Sequence, residues 1–222
     1  MDMVVRSRYF GLAYRTVAFT LLLVAFIYTF KTNYNSWEIL LHFSILSAIF
    51  EIFILGIETL CNAYDLTRGN KGIPAGFYMP VRFLSTIYSV ISLLGFLFVV
   101  LPYDYEFVSL PMGLLISGCA IFSILDWLLF CIKGTVRKHR SYLAIIFPFF
   151  YCAFIYCRVL IWKNVYFTNG GKYPYVILNQ NYNLSIVYFL LFLVLTFLIA
   201  WFMAFLNQLI AGKFKKRIYL ED

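Results

Sequence analysis

The side chains that could do chemistry in this 222-residue chain lie inside runs of apolar sequence. Ser44, Glu51 and Glu58 are spaced seven apart. At about 100° per residue, that spacing draws one stripe along a helix. Arg15, Arg82, Asp126 and Arg158 interrupt other apolar runs. A charge at bilayer depth costs about 2.5–3.5 kcal/mol on insertion scales, so a chain that keeps one has a partner or a task for it. Two chemistries are open to these residue types. A serine hydroxyl becomes a nucleophile when a base takes its proton. Carboxylates and guanidiniums that share a layer form either an ion-pair network or a path for a proton or ion.

Other reactive side chains are less promising. Glu38 and His42 are four apart and can touch on a helix, whereas His42 and Ser44 are two apart, about 200° around it. In a regular helix His42 therefore cannot serve Ser44 as a base, and it reads as an interfacial polar packer. Two histidines are too few and too separated for a metal box. The five cysteines form no C-x-x-C pair and read as small apolar packers. No metal and no cofactor are expected.

The scaffold that carries these residues can be read from composition. The chain is 63% hydrophobic and 13% charged, which excludes an ordinary soluble domain and requires lipid as part of the solvent. Six apolar runs cover about 9–30, 38–61, 77–101, 111–132, 141–161 and 184–210. Each reaches the roughly 20 residues that a helix needs to span the hydrocarbon. The expected fold is all-α, a single domain over 1–222 built as a bundle of six transmembrane helices. The first run is long and lacks an A-x-A site, so it reads as an uncleaved helix. Trp37, Trp162, Tyr103 and Tyr105 lie near run ends and read as interfacial anchors.

Net charge is +8, but the basic residues sit in short turns and near the ends, a positive-inside pattern that needs no nucleic acid. With both termini cytoplasmic, twelve lysines and arginines fall on the inner side, three on the outer side and three within spans. That orientation sets depth. Arg15, Glu51, Glu58, Arg82 and Asp126 then share a layer in the inner half of the membrane, and Arg158 lies near the outer mouth. The layer reads as a network fixing helix registry or as a proton or ion path. Arg15 and Arg82 have the further option of snorkelling to the inner headgroups.

Several pieces taken together resemble a family. They are F-S-I-L-S at 43–47, D-W at 126–127 with a basic turn after it, P-F-F-Y at 148–151, Arg158 and Y-P-Y at 173–175. In order and spacing the chain resembles the six-helix androgen-induced and androgen-dependent membrane hydrolases, nearest their short bacterial relatives. The resemblance covers about two thirds of the chain. It implies a threonine- or serine-dependent lipid ester hydrolase with Ser44 in the nucleophile position, in the cell membrane of a bacterium. It also implies substrate contacts from Arg158, Tyr173 and Tyr175, and a fatty-acyl ester entering from membrane lipid. The family histidine falls at Ile116, followed by Ser117, and is missing. Ala48 stands where bacterial relatives tend to carry Asn, and Val176 where a proline often follows Y-P-Y.

The missing histidine leaves three alternatives open: a changed mechanism, a different base, or a non-catalytic relative. Two functions from different classes therefore stand side by side. One is a lipid ester hydrolase or a degenerate relative of one. The other is a non-enzymatic membrane permease, binding component or assembly factor, with the inner charge layer as its active or structural feature.

Overall fold

The computed structural model describes residues 7–32, 37–69, 79–103, 109–134, 136, 138–162, 166–167, 170–179 and 182–218. Among the described residues six helices are long and apolar enough to cross a membrane: α1 (Arg8–Thr32), α2 (Phe43–Thr67), α3 (Met79–Tyr103), α4 (Leu110–Phe130), α5 (Ser141–Ile161) and α6 (Tyr182–Ile218, its span Leu184–Ala211). No strand occurs among the described residues. Lipid offers backbone groups no hydrogen bonds, so spans that satisfy themselves internally are the expected solution.

Helix α2 departs most from the expected bounds. Trp37–Leu41 forms a 3₁₀ turn, and His42 is extended (φ −80°, ψ 128°), so the α-helix starts at Phe43 instead of 38. His42 and Glu38 consequently do not face each other across a helical turn. Instead, the His42 Nδ1 lies 3.3 Å from the Glu38 carbonyl. At its other end α2 continues through the polar segment 62–67, where Asp65 pairs with Arg8 at 2.8 Å and Asn62 is buried in the bundle. Gly69, at φ +71°, stops the helix in a conformation that few other residues tolerate.

The other spans match their apolar runs closely. Helix α3 carries a π-helical stretch at Phe96–Val100, and a 3₁₀ stretch over Lys138–Ile145 leads into α5 and forms its first residues. Ser109 caps α4 by accepting the Met112 N–H at 3.4 Å. Helix α6 is about 55 Å long at 1.5 Å per residue, well beyond a hydrocarbon core of about 30 Å.

Helices α1 to α4 form a quartet. Within it α1 packs on α2 and α4, and α3 packs on the same two helices. Helix α6 lies outside the quartet, against α3 and α5. One apolar core joins α1, α2 and α4 through Ala18, Leu22, Ile45, Leu55, Leu115 and Ile116. The other joins α3, α5 and α6 to the start of α2 and the end of α4 through Phe43, Ile87, Tyr88, Trp127, Tyr151 and Ala200. Exposed apolar side chains such as Leu21 and Val24 of α1 and Leu190 and Val194 of α6 face outward, as lipid permits and water does not. Trp162 and Tyr103 are exposed near span ends. Tyr105 lies outside the described residues, as does the Trp37 side chain.

Two ends of the quartet can be told apart. Arg8 of α1, Asp65 of α2 and Met79 of α3 mark the terminal end. The segment 170–179, with Y-P-Y, lies at the opposite loop end, beside the start of α2.

Candidate functional site

Five charged side chains meet inside the quartet, each at most 1% exposed. Arg15 of α1 faces Asp126 of α4, with Nε 2.7 Å from Oδ1 and Nη2 donating to Oδ2 at 3.3 Å. Arg82 of α3 places Nε 3.1 Å from the same Oδ2 of Asp126 and donates from Nη1 to Glu51 of α2 at 2.8 Å. Glu58, two turns along α2, lies 3.5 Å from Arg15 Nε and 3.8 Å from Arg82 Nε. The two arginines therefore turn inward and do not snorkel. Four helices each contribute at least one charge, and all five predicted residues come together.

Hydroxyls complete the site. Ser85 and Ser123 both donate to Glu51 Oε2, the latter at 3.2 Å. Ser123 also lies 3.0 Å from the Thr86 hydroxyl, and Thr86 donates to the Arg82 carbonyl at 3.1 Å. Towards the loop end Ser47 bonds to Ser92 at 2.8 Å and to the Ser44 carbonyl at 2.9 Å. Ser89 lies between these levels, one turn from Ser85 and Ser92, and is fully buried. On α3, Arg82, Ser85, Thr86, Ser89 and Ser92 follow the three- and four-residue steps of a single helix face. Sequence reasoning took Arg82 alone from that helix. The hydroxyls standing three or four residues from Glu51, Arg82 and Asp126 (Ser47, Ser85, Thr86 and Ser123) were the signal that could have found the rest.

The charge count is uneven. Two guanidiniums meet three carboxylates within one buried volume. Fully ionised, the cluster carries a net negative charge in a medium where an uncompensated charge is expensive. Among the described residues no group of three or more His, Cys, Asp or Glu side chains could hold a metal ion.

The Ser44 neighbourhood is different. Ser44 is 4% exposed in the first turn of α2, where the Tyr175 hydroxyl approaches it. The Tyr175 oxygen accepts the Phe43 N–H at 3.1 Å, so the phenol acts as the cap that His42 does not supply. Burial pushes the Tyr175 phenol above its ordinary range, so it keeps its proton at neutral pH and offers Ser44 no base. Ile116 is 1% exposed in the α1–α2–α4 core, and Ser117 donates to the Gly113 carbonyl at 2.7 Å. Glu51 is about 10 Å further along the helix axis and already engaged.

Arg158 and Tyr173 hold the loop in place. Arg158 donates to the Lys172 carbonyl at 3.3 Å and stacks its guanidinium 4.2 Å from the Phe167 ring. Tyr173 accepts from Ser185 at 3.3 Å. Asn179 brackets the segment, accepting from the Tyr173 N–H at 2.8 Å and donating to the carbonyls of Tyr173 and Tyr175 at 3.0 and 3.1 Å. An open apolar groove of about 500 Å³ runs between α1 and α4, walled by Leu21, Ala25, Leu114, Ser117 and Gly118, and Ser44 is not part of its wall. No family model matches the chain, and neither does any curated protein or solved structure with which it was compared.

Proposed function

We propose that this chain is a non-hydrolytic multi-pass membrane protein, a small proton-coupled permease. In this reading the cluster of Arg15, Glu51, Glu58, Arg82 and Asp126 takes up and releases one proton. The observation that carries the reading is the excess of one carboxylate over guanidinium in a fully buried site. One bound proton restores neutrality. A metal cation is a poorer fit, because both guanidiniums lie within 4 Å of Glu58 and would repel it. Glu58 has the longest carboxylate–guanidinium distances of the three acids, so it is the member assigned the proton.

The terminal end faces the cytoplasm on the bias of lysine and arginine, twelve against three. The resemblance to short bacterial proteins points to a bacterial cell membrane. Reporter fusions after Lys216 and within 166–171 test the sidedness, and equal signals would reverse the depth assignment.

Purified protein in lipid vesicles tests the function. Infrared titration is expected to show one protonated carboxylic acid in the wild type and none in Glu58→Gln. Vesicles loaded with a pH dye should also acidify under an imposed potential faster than protein-free ones. A wild-type protein with no protonated acid at any tolerated pH would overturn the reading. The competing reading, an ester hydrolase, draws support from the placement of Ser44 against the Y-P-Y loop. A serine-directed lipid probe separates the two.

A further inference from the structure

Asn62 has no role in the charge cluster, yet it is fully buried. Neither its Oδ1 nor its Nδ2 has a hydrogen-bond partner among the described residues. A carboxamide offers two donors and an acceptor oxygen with two lone pairs, and buried amides are satisfied by protein or by ordered water. Its position on α2 is informative. Asn62 is four residues beyond Glu58, on the same helix face, and three before Asp65. Asp65 pairs with Arg8 at 2.8 Å, and these two side chains are 27% and 15% exposed. Asn62 therefore stands between the buried acid and the nearest ion pair that reaches solvent. Rises of about 6 Å and 4.5 Å along the helix axis separate it from the two.

We propose that Asn62 is the positioning residue of an internal water site through which the cluster exchanges its proton with the terminal end of the bundle; the proposal rests on the proton-binding reading above. The amide does not titrate at neutral pH. It orients water between Glu58 and the Arg8–Asp65 pair. The charged groups facing Glu58 are Arg15 from α1, Arg82 from α3 and Asp126 from α4, with Glu51 on its own helix. Of the two guanidiniums at Glu58, Arg15 is held by Asp126, and Arg82 by Glu51 and Asp126. Towards the terminal end α2 presents the neutral Asn62 next. The proton's exit on that side runs along this face of α2, and the serines at 44, 47, 89 and 92 line the opposite side of the cluster.

The test tracks the carboxylic-acid infrared band after pH jumps, in vesicles where the terminal end faces the bath and in vesicles of reverse orientation. Asn62→Leu and Asn62→Met are expected to slow exchange from the terminal end at least tenfold. The equilibrium midpoint and the rate from the loop end should stay within about threefold of wild type. Asn62→Ser, which can still hold water, should restore the terminal-end rate. A wild-type rate in a folded Asn62→Leu or Asn62→Met protein would overturn the proposal, as would equal slowing from both ends. If neither apolar variant folds, Asn62→Gln decides. The neutral carboxamide, one methylene longer, still binds water and must preserve the terminal-end rate, and a tenfold drop overturns the assignment. Absence of the protonated acid in every protein would instead sink the proton-binding reading itself.

Discussion

Arg15 and Asp126 approach to 2.7 Å across 111 residues of sequence, each almost completely buried. The contact ties the first span to the fourth, and Arg82 ties the third to both Asp126 and Glu51. Pulling any pair apart would leave a charge in an apolar interior. The network therefore fixes helix register as well as holding charge.

The three acids should differ in what their removal does. Asp126→Asn leaves Arg15 and Arg82 short of a counter-charge and is expected to cost about 3–5 kcal/mol. Glu58→Gln mimics the protonated side chain and should cost under about 1 kcal/mol. Thermal unfolding of both variants in detergent checks the order. Equal losses would mean that Glu58 is ionised like its neighbours.

Ester hydrolysis should be absent or very slow in the wild type. Loss of general-base help removes about 10²–10⁴-fold in rate, and Ser44 meets the neutral Tyr175 phenol in place of a base. The comparison is wild type, Ser44→Ala and Ile116→His on long-chain esters and with a serine-directed probe. Strong wild-type turnover that disappears in Ser44→Ala would restore the hydrolase reading.

Tyr175→Phe deletes the oxygen that accepts the Phe43 N–H. A lost cap of this kind is worth about 1 kcal/mol, and the first turn of α2 should fray. Amide hydrogen exchange at 43–46 is the measurement. Unchanged protection would show that the phenol fills space without capping the helix.

Lys133 supplies a pH dependence outside the spans. Burial pulls its ammonium down to about 8 from an ordinary 10.5, while it donates to the Trp127 carbonyl and sits 3.8 Å from the indole ring. Between those two values the unfolded chain binds more protons than the folded one, so this group makes stability rise with pH. Below that window both states are charged, and the burial penalty is constant. Lys133→Met should therefore be more stable than wild type near neutral pH, with the gap closing between about 8 and 10.5. A gap that widens with rising pH would contradict the sign.

Composition and run length alone were enough for an all-α bundle of six spans, because lipid accepts only chains that satisfy their own backbone and twenty apolar residues match its thickness. Helical phase and the direction of each span also brought Arg15, Glu51, Glu58, Arg82 and Asp126 to one depth. The bounds of α2 were less legible. The apolar 38–41 is a 3₁₀ turn because His42 is extended and Tyr175, from a distant loop, caps the α-helix that begins at Phe43. The polar 62–67 stays helical where Asp65 finds a partner in Arg8 of α1. Sequence periodicity carries depth and face, which are properties of one helix. Pairing is a property of several helices at once. Only their packing decided that Asp126 serves two arginines, that Arg158 holds a loop, and that Ser44 meets a phenol in place of a base.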